Sequence, residues 1–424
     1  MKQNIGFNTK IENCYDENLL KESILMGLGK RNIEITLEVQ KRIELEWNTF
    51  KENDQLNRLF IVYDLMSWAK NNNIKYGSGR GASCGSLILY ALGITDINPL
   101  TYNLIFERMG KVLDIDIDSE SPAKMVDYLK SKYGKENVLR VAYHRKENSL
   151  TKQTKVNGVK QTSDSLYIHA CKIVIFDQTK ADLPIIEING EKVFLCDNEE
   201  IKRLNIFDLD ILGLNILKKI ENCKDLIYEK YGKTINFNAD NCDDAKTFKL
   251  FSDYDVEEVF AFCRNNDIKK FVIKHKINSL TEISAVSVLS ISDTFGKIDD
   301  KEIHRMLEPY LKETYGLFLY QEQMLEILYN LMGFTYSEAE SIRQFITKPK
   351  NQYDIDYKAM FFEKACKKYS KDIADRLWVT LCECGKKTYL KAHFISYAYM
   401  SYQTAYLKAN YKAEFDKFFY REKI

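Results

Sequence analysis

The sequence lacks long apolar runs: none approaches the roughly 18 residues that a membrane-spanning helix needs. Its first residues do not show a short apolar stretch after basic residues, so no signal peptide is expected. We therefore expect a cytoplasmic protein with no membrane partner.

Paired cysteines are absent too. The ten cysteines are scattered without Cys-x-x-Cys spacing, and Cys382 and Cys384 have no matching second pair. Structural zinc sites are usually built from such pairs, so no zinc site is expected. In a chain of this length the cysteines indicate reduced thiols in a cytosolic compartment.

An excess of charge of one sign is missing as well. The 62 Lys and Arg residues nearly balance the 61 Asp and Glu residues, for a formal net charge of +1. Any nucleic-acid footprint must therefore come from the distribution of charge along the chain. With 424 residues, 45% of them hydrophobic, we expect two or three substructures that each bury a core.

A run of alternating aspartate and apolar residues, Leu-Asp-Ile-Asp-Ile-Asp at 113–118, dominates what is present. Alternation predicts a half-buried strand with the isoleucines toward a core and the aspartates all on the other face. Asp114 and Asp116 lie about 6.6 Å apart along such a strand, and a pair of Mg²⁺ ions about 3.5–4 Å apart would relieve their repulsion. Asp118 would support them from the edge. The alternative is a solvent-facing edge strand protected by acidic residues.

A second acidic stretch, residues 205–214, repeats the alternation and places Asp208 and Asp210 on one face. It runs into a predicted helix over residues 214–231. If this strand pairs beside the first, Asp210 joins Asp114 and Asp116 around the metal ions. Such an arrangement suits nucleotidyl transfer, which needs charge neutralisation and positioning more than a protein nucleophile.

A glycine-rich stretch lies between 77 and 86 and is followed at once by an apolar helix over residues 87–92. The helix would aim its free N–H groups at a phosphate, and Arg80 would add a planar cation. The stretch matches neither the Walker motif nor Gly-x-Gly-x-x-Gly. It predicts a triphosphate cradle, with a plain connecting turn as the alternative.

The remaining pattern predicts a helix from Pro122 to Tyr133, with Ser121 as N-cap and Gly134 at its end. Strands are predicted at residues 137–142, 173–176 and 192–195. Beyond about residue 240 the chain reads as mostly helical, ending in a long amphipathic helix over 390–419 whose tyrosines we assign mainly to core packing.

Residues 144–165 predict an exposed basic loop, because polar residues dominate and no apolar period is present. Its basic residues are Arg145, Lys146, Lys152, Lys155 and Lys160. They would contact DNA; the alternative is an ordinary surface loop.

Several segments, in this order, resemble one family. They are residues 77–87, 93–96, 99–100, 106–108, 114–118, 210–214, 314–316, 320–323, 391–393 and 401–404. The set resembles the C-family replicative DNA polymerases, the family of the catalytic alpha subunit of bacterial DNA polymerase III.

The resemblance implies an α+β fold, in which a palm of the polymerase-beta-like nucleotidyltransferase type, a mixed sheet with helices, is followed by mostly helical fingers. Helical periodicity already predicts a helical lead-in over 1–73. The resemblance implies palm segments over 74–143 and 166–235, a basic loop in place of the thumb over 144–165, and fingers over 236–424. Asp114, Asp116 and Asp210 would be catalytic ligands of two Mg²⁺ ions, which Mn²⁺ could replace. Implied nucleotide-binding residues are Gly79, Arg80, Gly81, Ser83, Arg108, Arg343, Lys348, Lys391 and His393; a lone histidine such as His393 is more often structural.

The sequence departs from the family at several positions. Ala82 stands where the family usually has serine, and Asp208 stands where it tends to carry lysine, which reverses a charge beside the metal ions. The Arg-Pro-Gly-Pro motif expected near residues 289–295 is missing, and the expected arginine pair reads Arg343-Gln344. We also expect this chain to lack a thumb, the amino-terminal phosphoesterase domain and the carboxy-terminal domains.

The leading hypothesis is therefore a minimal DNA-directed DNA polymerase, encoded by a phage or mobile element, in a prokaryotic or phage-infected cell. Its partners would be primed template DNA and dNTPs, with a second protein that supplies grip on the duplex, since the isolated chain would have low processivity. Alternatives are a nucleotidyltransferase that reads no template and a catalytically silent DNA-binding scaffold subunit.

Overall fold

The computed structural model of the protein describes residues 16–109, 114–145, 165–176, 183–195, 201, 206–262, 266–291, 296–348 and 355–420. The strands are β1 (Asp114–Asp118), β2 (Val138–Arg145), β3 (Ser165–Ile175), β4 (Ile185–Ile188), β5 (Glu191–Leu195) and β6 (Phe207–Leu214). The α-helices are α1 (Glu17–Lys30), α2 (Leu37–Glu52), α3 (Leu56–Asn71), α4 (Leu87–Ala91), α5 (Pro122–Tyr133), α6 (Asn215–Tyr231), α7 (Ala245–Ser252), α8 (Asn266–His275), α9 (Leu280–Ile291), α10 (Lys301–Leu311), α11 (Gln321–Met332), α12 (Tyr336–Thr347), α13 (Tyr357–Ala365), α14 (Lys371–Gly385), α15 (Lys391–Asn410) and α16 (Lys412–Phe419).

Contacts divide the chain into two compact units that alternate along the sequence. The sheet unit comprises Met1–Leu25, Asn48–Tyr76 and Val112–Asn215, and the helical unit comprises Met26–Trp47, Gly77–Lys111 and Ile216–Ile424. Both acidic stretches therefore belong to the sheet unit, whereas the glycine-rich stretch belongs to the helical unit. The domain boundaries predicted from the sequence stay predictions.

The sheet unit is built on one mixed sheet with the strand order β1-β6-β3-β2-β5-β4. Strand β1 runs parallel to β6 and β2 parallel to β5, while β3 is antiparallel to both β6 and β2. Helices follow the sheet along the chain. The predicted α+β class is confirmed.

Strand β1 is buried more completely than its alternation predicts. Ile115 and Ile117 are buried as expected, but Asp116 and Asp118 are buried too, at 2% and 9% exposure. Although β1 is the last strand of the sheet, Ile117 forms an antiparallel bridge with Tyr76, so chain from the same unit covers that side. The expectation of a half-buried strand is wrong, and so is the alternative of a solvent-facing one.

The hairpin of β2 and β3 is longer than predicted. His144 and Arg145 end β2 and Ser165 begins β3, so the predicted loop over 144–165 includes strand at both ends. Tyr143 and Tyr167 face each other across these strands and are both exposed. A ribbon exposed in this way carries no apolar alternation, which is why the pattern gave no strand there.

Helix α5 has the predicted bounds. Pro122 occupies its first turn, and Gly134 ends it with φ +98°, a conformation that favours glycine. Ser121 is the N-cap residue as predicted, but its side chain makes no cap hydrogen bond: its Oγ donates to Asp118 Oδ2 (2.9 Å) instead of accepting from the helix. Helix α5 packs on α3 through stacked Trp68 and Tyr128, whose ring centroids are 4.5 Å apart.

The helical unit packs around α15, whose Tyr399 and Tyr402 are buried, as predicted for the tyrosine stripe. The single helix predicted over 390–419 is wrong: Tyr411 (φ −141°, ψ 52°) leaves helical geometry and separates α15 from α16. Among the described helices none is long and apolar enough to span a bilayer.

A close helix contact in the helical unit generates a stability prediction. A Cβ on Gly27 would lie 1.9 Å from the carbonyl oxygen of Ala91, whereas one on Gly29, two positions along α1, would meet nothing within 4 Å. Gly27→Ala should lower the melting temperature, because the backbone at Gly27 or at Ala91 would have to move to make room for the Cβ. Gly29→Ala should leave it unchanged or raise it slightly, since alanine favours helix by about 0.5–1 kcal/mol. Thermal unfolding followed by circular dichroism compares them; equal effects would contradict the close packing.

Candidate active site

The two acidic strands are neighbours. In the parallel pair of β1 and β6, Asp114 lies directly opposite Asp210. Directly opposed residues point to the same face, and alternation places Asp116 on that face as well. The expected adjacency of two stretches nearly a hundred positions apart is confirmed at the level of the backbone.

The environments of the three carboxylates differ. Asp114 is exposed and Asp116 is buried. The Oδ1 atom of Asp210 is buried and has no hydrogen-bond partner among the described residues. A buried carboxylate oxygen without a donor is costly, and a divalent cation is one partner that would satisfy it.

The side chains themselves do not form a closed metal site. Within the described ranges, no three His, Cys, Asp or Glu side chains are gathered closely enough to hold a metal ion. The donor set still fits Mg²⁺ or Mn²⁺, which prefer carboxylate oxygens, and it includes the buried Oδ1 of Asp210, which has no hydrogen-bond partner among the described residues. The assignment of Asp114, Asp116 and Asp210 as metal ligands stays a prediction.

Asp118, expected to support the metal site, has a structural role instead. Its carboxylate accepts hydrogen bonds from the backbone N–H groups of Lys75 (3.3 Å) and Glu120 (3.0 Å) and from Ser121 Oγ (2.9 Å). These contacts hold the turn between β1 and α5.

Asp208 forms ion pairs with two cations that were not predicted from the sequence. Arg58 Nη1 donates to its Oδ1 and Lys172 Nζ contacts its Oδ2, each at 3.1 Å. Burial alone would raise the pKa of the Asp208 carboxyl, but the charges and hydrogen bonds of Arg58 and Lys172 outweigh burial and hold this pKa below its usual range. The reversed charge at position 208 is thus compensated locally. The sequence feature that could have indicated this ion pair is the lysine directly before the apolar run at 173–176.

The glycine-rich stretch forms a tight turn in the helical unit. Gly79 and Gly81 have φ values of +119° and +60°, and Gly81–Gly85 form a short 3₁₀ helix before α4. A side chain on Gly79 would collide with Cys84 Sγ at 2.7 Å. Glycine is therefore required at position 79 by both conformation and space.

The predicted use of the α4 amino terminus for phosphate is wrong. Its N–H groups at Leu87 and Ile88 donate to the carboxylate of Glu46, each at 2.9 Å, and Ser86 Oγ donates to the same carboxylate at 2.7 Å. Glu46 is fully buried, so an internal anion already takes the place expected for the ligand. The burial of Glu46 could have been predicted from the sequence, because Glu46 lies on the apolar stripe of α2 with Val39 and Trp47.

The first part of the glycine turn is held against α15. Gly81 N–H donates to His393 Nδ1 (3.3 Å), and Arg80 Nη1 donates to the hydroxyl of Tyr397 (2.9 Å). Three of the predicted nucleotide-binding residues, Arg80, Gly81 and His393, are therefore brought together. Burial, with the charge of Arg80 nearby, lowers the pKa of His393 to about 4. Because Nδ1 accepts a hydrogen bond, the neutral ring carries its proton on Nε2.

Other predicted nucleotide-binding residues have contacts elsewhere in the helical unit. Arg343 is buried and binds both carboxylate oxygens of Glu340, each at 2.7 Å. Lys391 Nζ lies 2.7 Å from Glu313 Oε2, and Ser83 is buried in the glycine turn. Lys348 follows the last residue of α12. A nucleotide-binding role of Arg343 or Lys391 would require these ion pairs to exchange.

The remaining predicted residues lie outside the described part of the chain. Lys146, Lys152, Lys155 and Lys160 belong to the segment 146–164 that the structure does not describe. The side chains of Arg108 and Arg145 are likewise not described. Their predicted contacts with nucleotide and DNA stay predictions.

Comparison with known proteins identifies the family. Residues 17–160 match the family model described as the bacterial DNA polymerase III alpha NTPase domain, and residues 216–369 match the model described as the finger domain of the same subunit. The chain belongs to the bacterial DNA polymerase III alpha subunit family. Asp114 and Asp116 lie in the first match, while Asp210 and His393 lie outside both.

Individual alpha subunits align with nearly the whole chain. The DNA polymerase III subunit alpha of Aquifex aeolicus is 28% identical over 502 aligned positions, covering 94% of this chain and 43% of the relative. Those of Treponema pallidum and Halalkalibacterium halodurans are 25% and 26% identical and also cover 94% of this chain. The chain thus spans about two fifths of the length of these alpha subunits, 43%, 40% and 42% respectively.

The lowered pKa of His393 generates a pH prediction. Since the unfolded state protonates histidine near pH 6.5 and the folded state only near pH 4, the unfolded state binds the extra proton between these values. The free energy of unfolding should therefore fall as pH drops through this window. His393→Gln, which keeps an acceptor for Gly81 N–H, should lose that part of the pH dependence.

Urea unfolding of both proteins at several pH values measures this difference. The difference in free energy of unfolding between the two proteins should be constant above about pH 6.5. Below that pH it should shift in favour of His393→Gln. An NMR titration of His393 with a midpoint near 6.5 would contradict the burial argument.

Proposed function

We propose that this chain is a DNA-directed DNA polymerase that transfers a nucleotidyl group from a dNTP to the 3′-hydroxyl of a primer. The observation that carries the proposal is the register of β1 and β6, which sets Asp114 opposite Asp210 on the face that also holds Asp116. Nucleotidyl transfer needs carboxylates gathered in this way, because developing charge must be neutralised and the reacting groups held in line. Membership of the alpha subunit family supports the same reaction.

Asp114, Asp116 and Asp210 would hold the divalent ions. Two Mg²⁺ ions bound there, or Mn²⁺ in their place, would favour ionisation of the 3′-hydroxyl and neutralise charge on the leaving pyrophosphate. The buried Oδ1 of Asp210 supports this assignment, since the described residues offer it no hydrogen-bond donor.

The glycine turn would bind the triphosphate through side chains rather than through the α4 amino terminus. Arg80 can donate two parallel hydrogen bonds to phosphate oxygens, and neutral His393 can donate one from Nε2. Because His393 stays neutral across the physiological range, this contact would not switch with pH. Because Nδ1 accepts the hydrogen bond of Gly81 N–H, Nε2 is the ring nitrogen that would donate to a phosphate.

Primer extension on a defined template with Mg²⁺ tests the proposal. Asp210→Ala should reduce the extension rate by at least about 100-fold, as expected when a group that stabilises transition-state charge is removed. Asp127→Asn, an exposed acidic residue on α5, is the matched control and should keep full activity. Products that copy the template support a polymerase, and products whose composition follows the dNTP supply would indicate untemplated addition. An inactive wild-type chain would contradict the proposal.

We also propose low intrinsic processivity. The segment between β2 and β3, residues 146–164, carries four lysines against Glu147 and Asp164, so it can supply few phosphate contacts to hold duplex DNA. With a DNA trap present, the isolated chain should add only a few nucleotides per binding event, and a partner protein that grips the duplex should lengthen the products. Long products from the chain alone would contradict this. A phage or mobile-element origin stays a prediction from sequence.

A further inference from the structure

Lys172 stands in an unusual place for a lysine. It lies on β3 directly opposite Asp210 of β6, with its side chain only 12% exposed. Because β6 is itself paired with β1, Asp114, Asp210 and Lys172 form one row across three strands and share one face of the sheet. Lysine is among the residues least often buried, so a lysine here needs a specific partner.

Asp208 is that partner. Lys172 Nζ lies 3.1 Å from Asp208 Oδ2, while Arg58 binds the other oxygen of the same carboxylate. Arg58 also donates to the backbone carbonyl of Ile206 (3.1 Å), which ties it to the start of β6. One carboxylate shared by two cations leaves the trio with a net charge of +1, and Lys172 brings this charge to the face that carries Asp114, Asp116 and Asp210.

We propose that Lys172, oriented by Asp208, is a phosphate-binding cation of this active site. A face of three carboxylates repels polyanionic substrates, and a fixed positive charge in the same row offsets that repulsion where a substrate phosphate must approach. Lys172 stands on β3 and reaches the face of the aspartates from the strand next to β6. The inference rests on the proposed polymerase function.

The phosphate could belong to the primer backbone or to the triphosphate of the dNTP. Both present anionic oxygens that a lysine ammonium recognises as a point charge. A contact with the primer would change the salt dependence of DNA binding, because each neutralised DNA phosphate adds about one unit to the slope of log K against log salt. A contact with the triphosphate would instead raise KM for the dNTP.

Lys172→Met is the decisive variant. Methionine keeps an unbranched apolar side chain, and Arg58 remains to pair with Asp208, so the fold should persist. We expect kcat/KM for primer extension to fall about 10- to 100-fold, the cost of losing a charged hydrogen bond. Either the DNA salt slope should fall by about one unit or KM for the dNTP should rise. Lys172→Arg should restore most of the activity, and Lys192→Met, an exposed lysine on β5, should change nothing.

A charge exchange sharpens the test. The double variant Lys172→Asp with Asp208→Lys keeps the ion pair and moves the cation to β6, so it should be more active than Lys172→Asp alone. If Lys172→Met keeps normal kcat/KM, dNTP KM and salt slope while its melting temperature falls, Lys172 is only a structural ion-pair partner and the inference is wrong. If the wild-type chain binds primed DNA but does not extend it, the proposed function fails, and an unchanged salt slope in Lys172→Met would then overturn the inference as well.

Discussion

The parallel pairing of β1 with β6 is the constraint on which the arrangement of acidic residues depends. Parallel neighbours need a long crossover connection, and α5 with strands β2 to β5 lies between them in sequence. Because side chains alternate along a strand, a shift of one residue in this pairing would turn Asp210 to the opposite face from Asp114. The apolar neighbours Leu209 and Ile211, both buried, hold the register by filling the other face.

Buried carboxylates serve two different purposes in this protein. Glu46 and Asp118 are buried with donors from backbone and serine, and each fixes a local turn: one at the start of α4, the other between β1 and α5. Asp210 differs, because one of its buried oxygens has no donor in the part of the chain that the structure describes. The contrast separates carboxylates whose oxygens are satisfied within the fold from one that keeps a buried oxygen without a donor among the described residues.

In the sheet unit, the charge of Asp208 is compensated by cations on other elements, Arg58 on α3 and Lys172 on β3. Asp208, Arg58 and Lys172 come from three distant parts of the sequence. The two ion pairs neutralise the negative charge that Asp208 would otherwise add beside Asp210. In the helical unit, Lys391 is likewise paired with the distant Glu313, whereas Arg343 is paired with Glu340 three positions earlier on the same helix. A polyanionic substrate would compete with such internal carboxylates for the same cations.

The sequence by itself determined the local elements and the residue types of the candidate site. Alternation located β1 and β6, and Pro122 with Gly134 bounded α5, because these signals depend on neighbours within a few residues. Its ordered motifs also indicated the family. Near the ends of β2 and β3 the local pattern failed to predict strand, because polar residues dominate there and Tyr143 and Tyr167 are exposed.

Only the tertiary structure decided which partners each charged side chain has. It placed Asp114 opposite Asp210, gave the α4 amino terminus to Glu46 instead of to a phosphate, and set Lys172 beside Asp208. The physical reason is that hydrogen bonds and ion pairs act over a few ångströms in space, between residues that the chain separates by tens to more than a hundred positions. Sequence spacing carries no record of those distances until the sheet and the helices are packed.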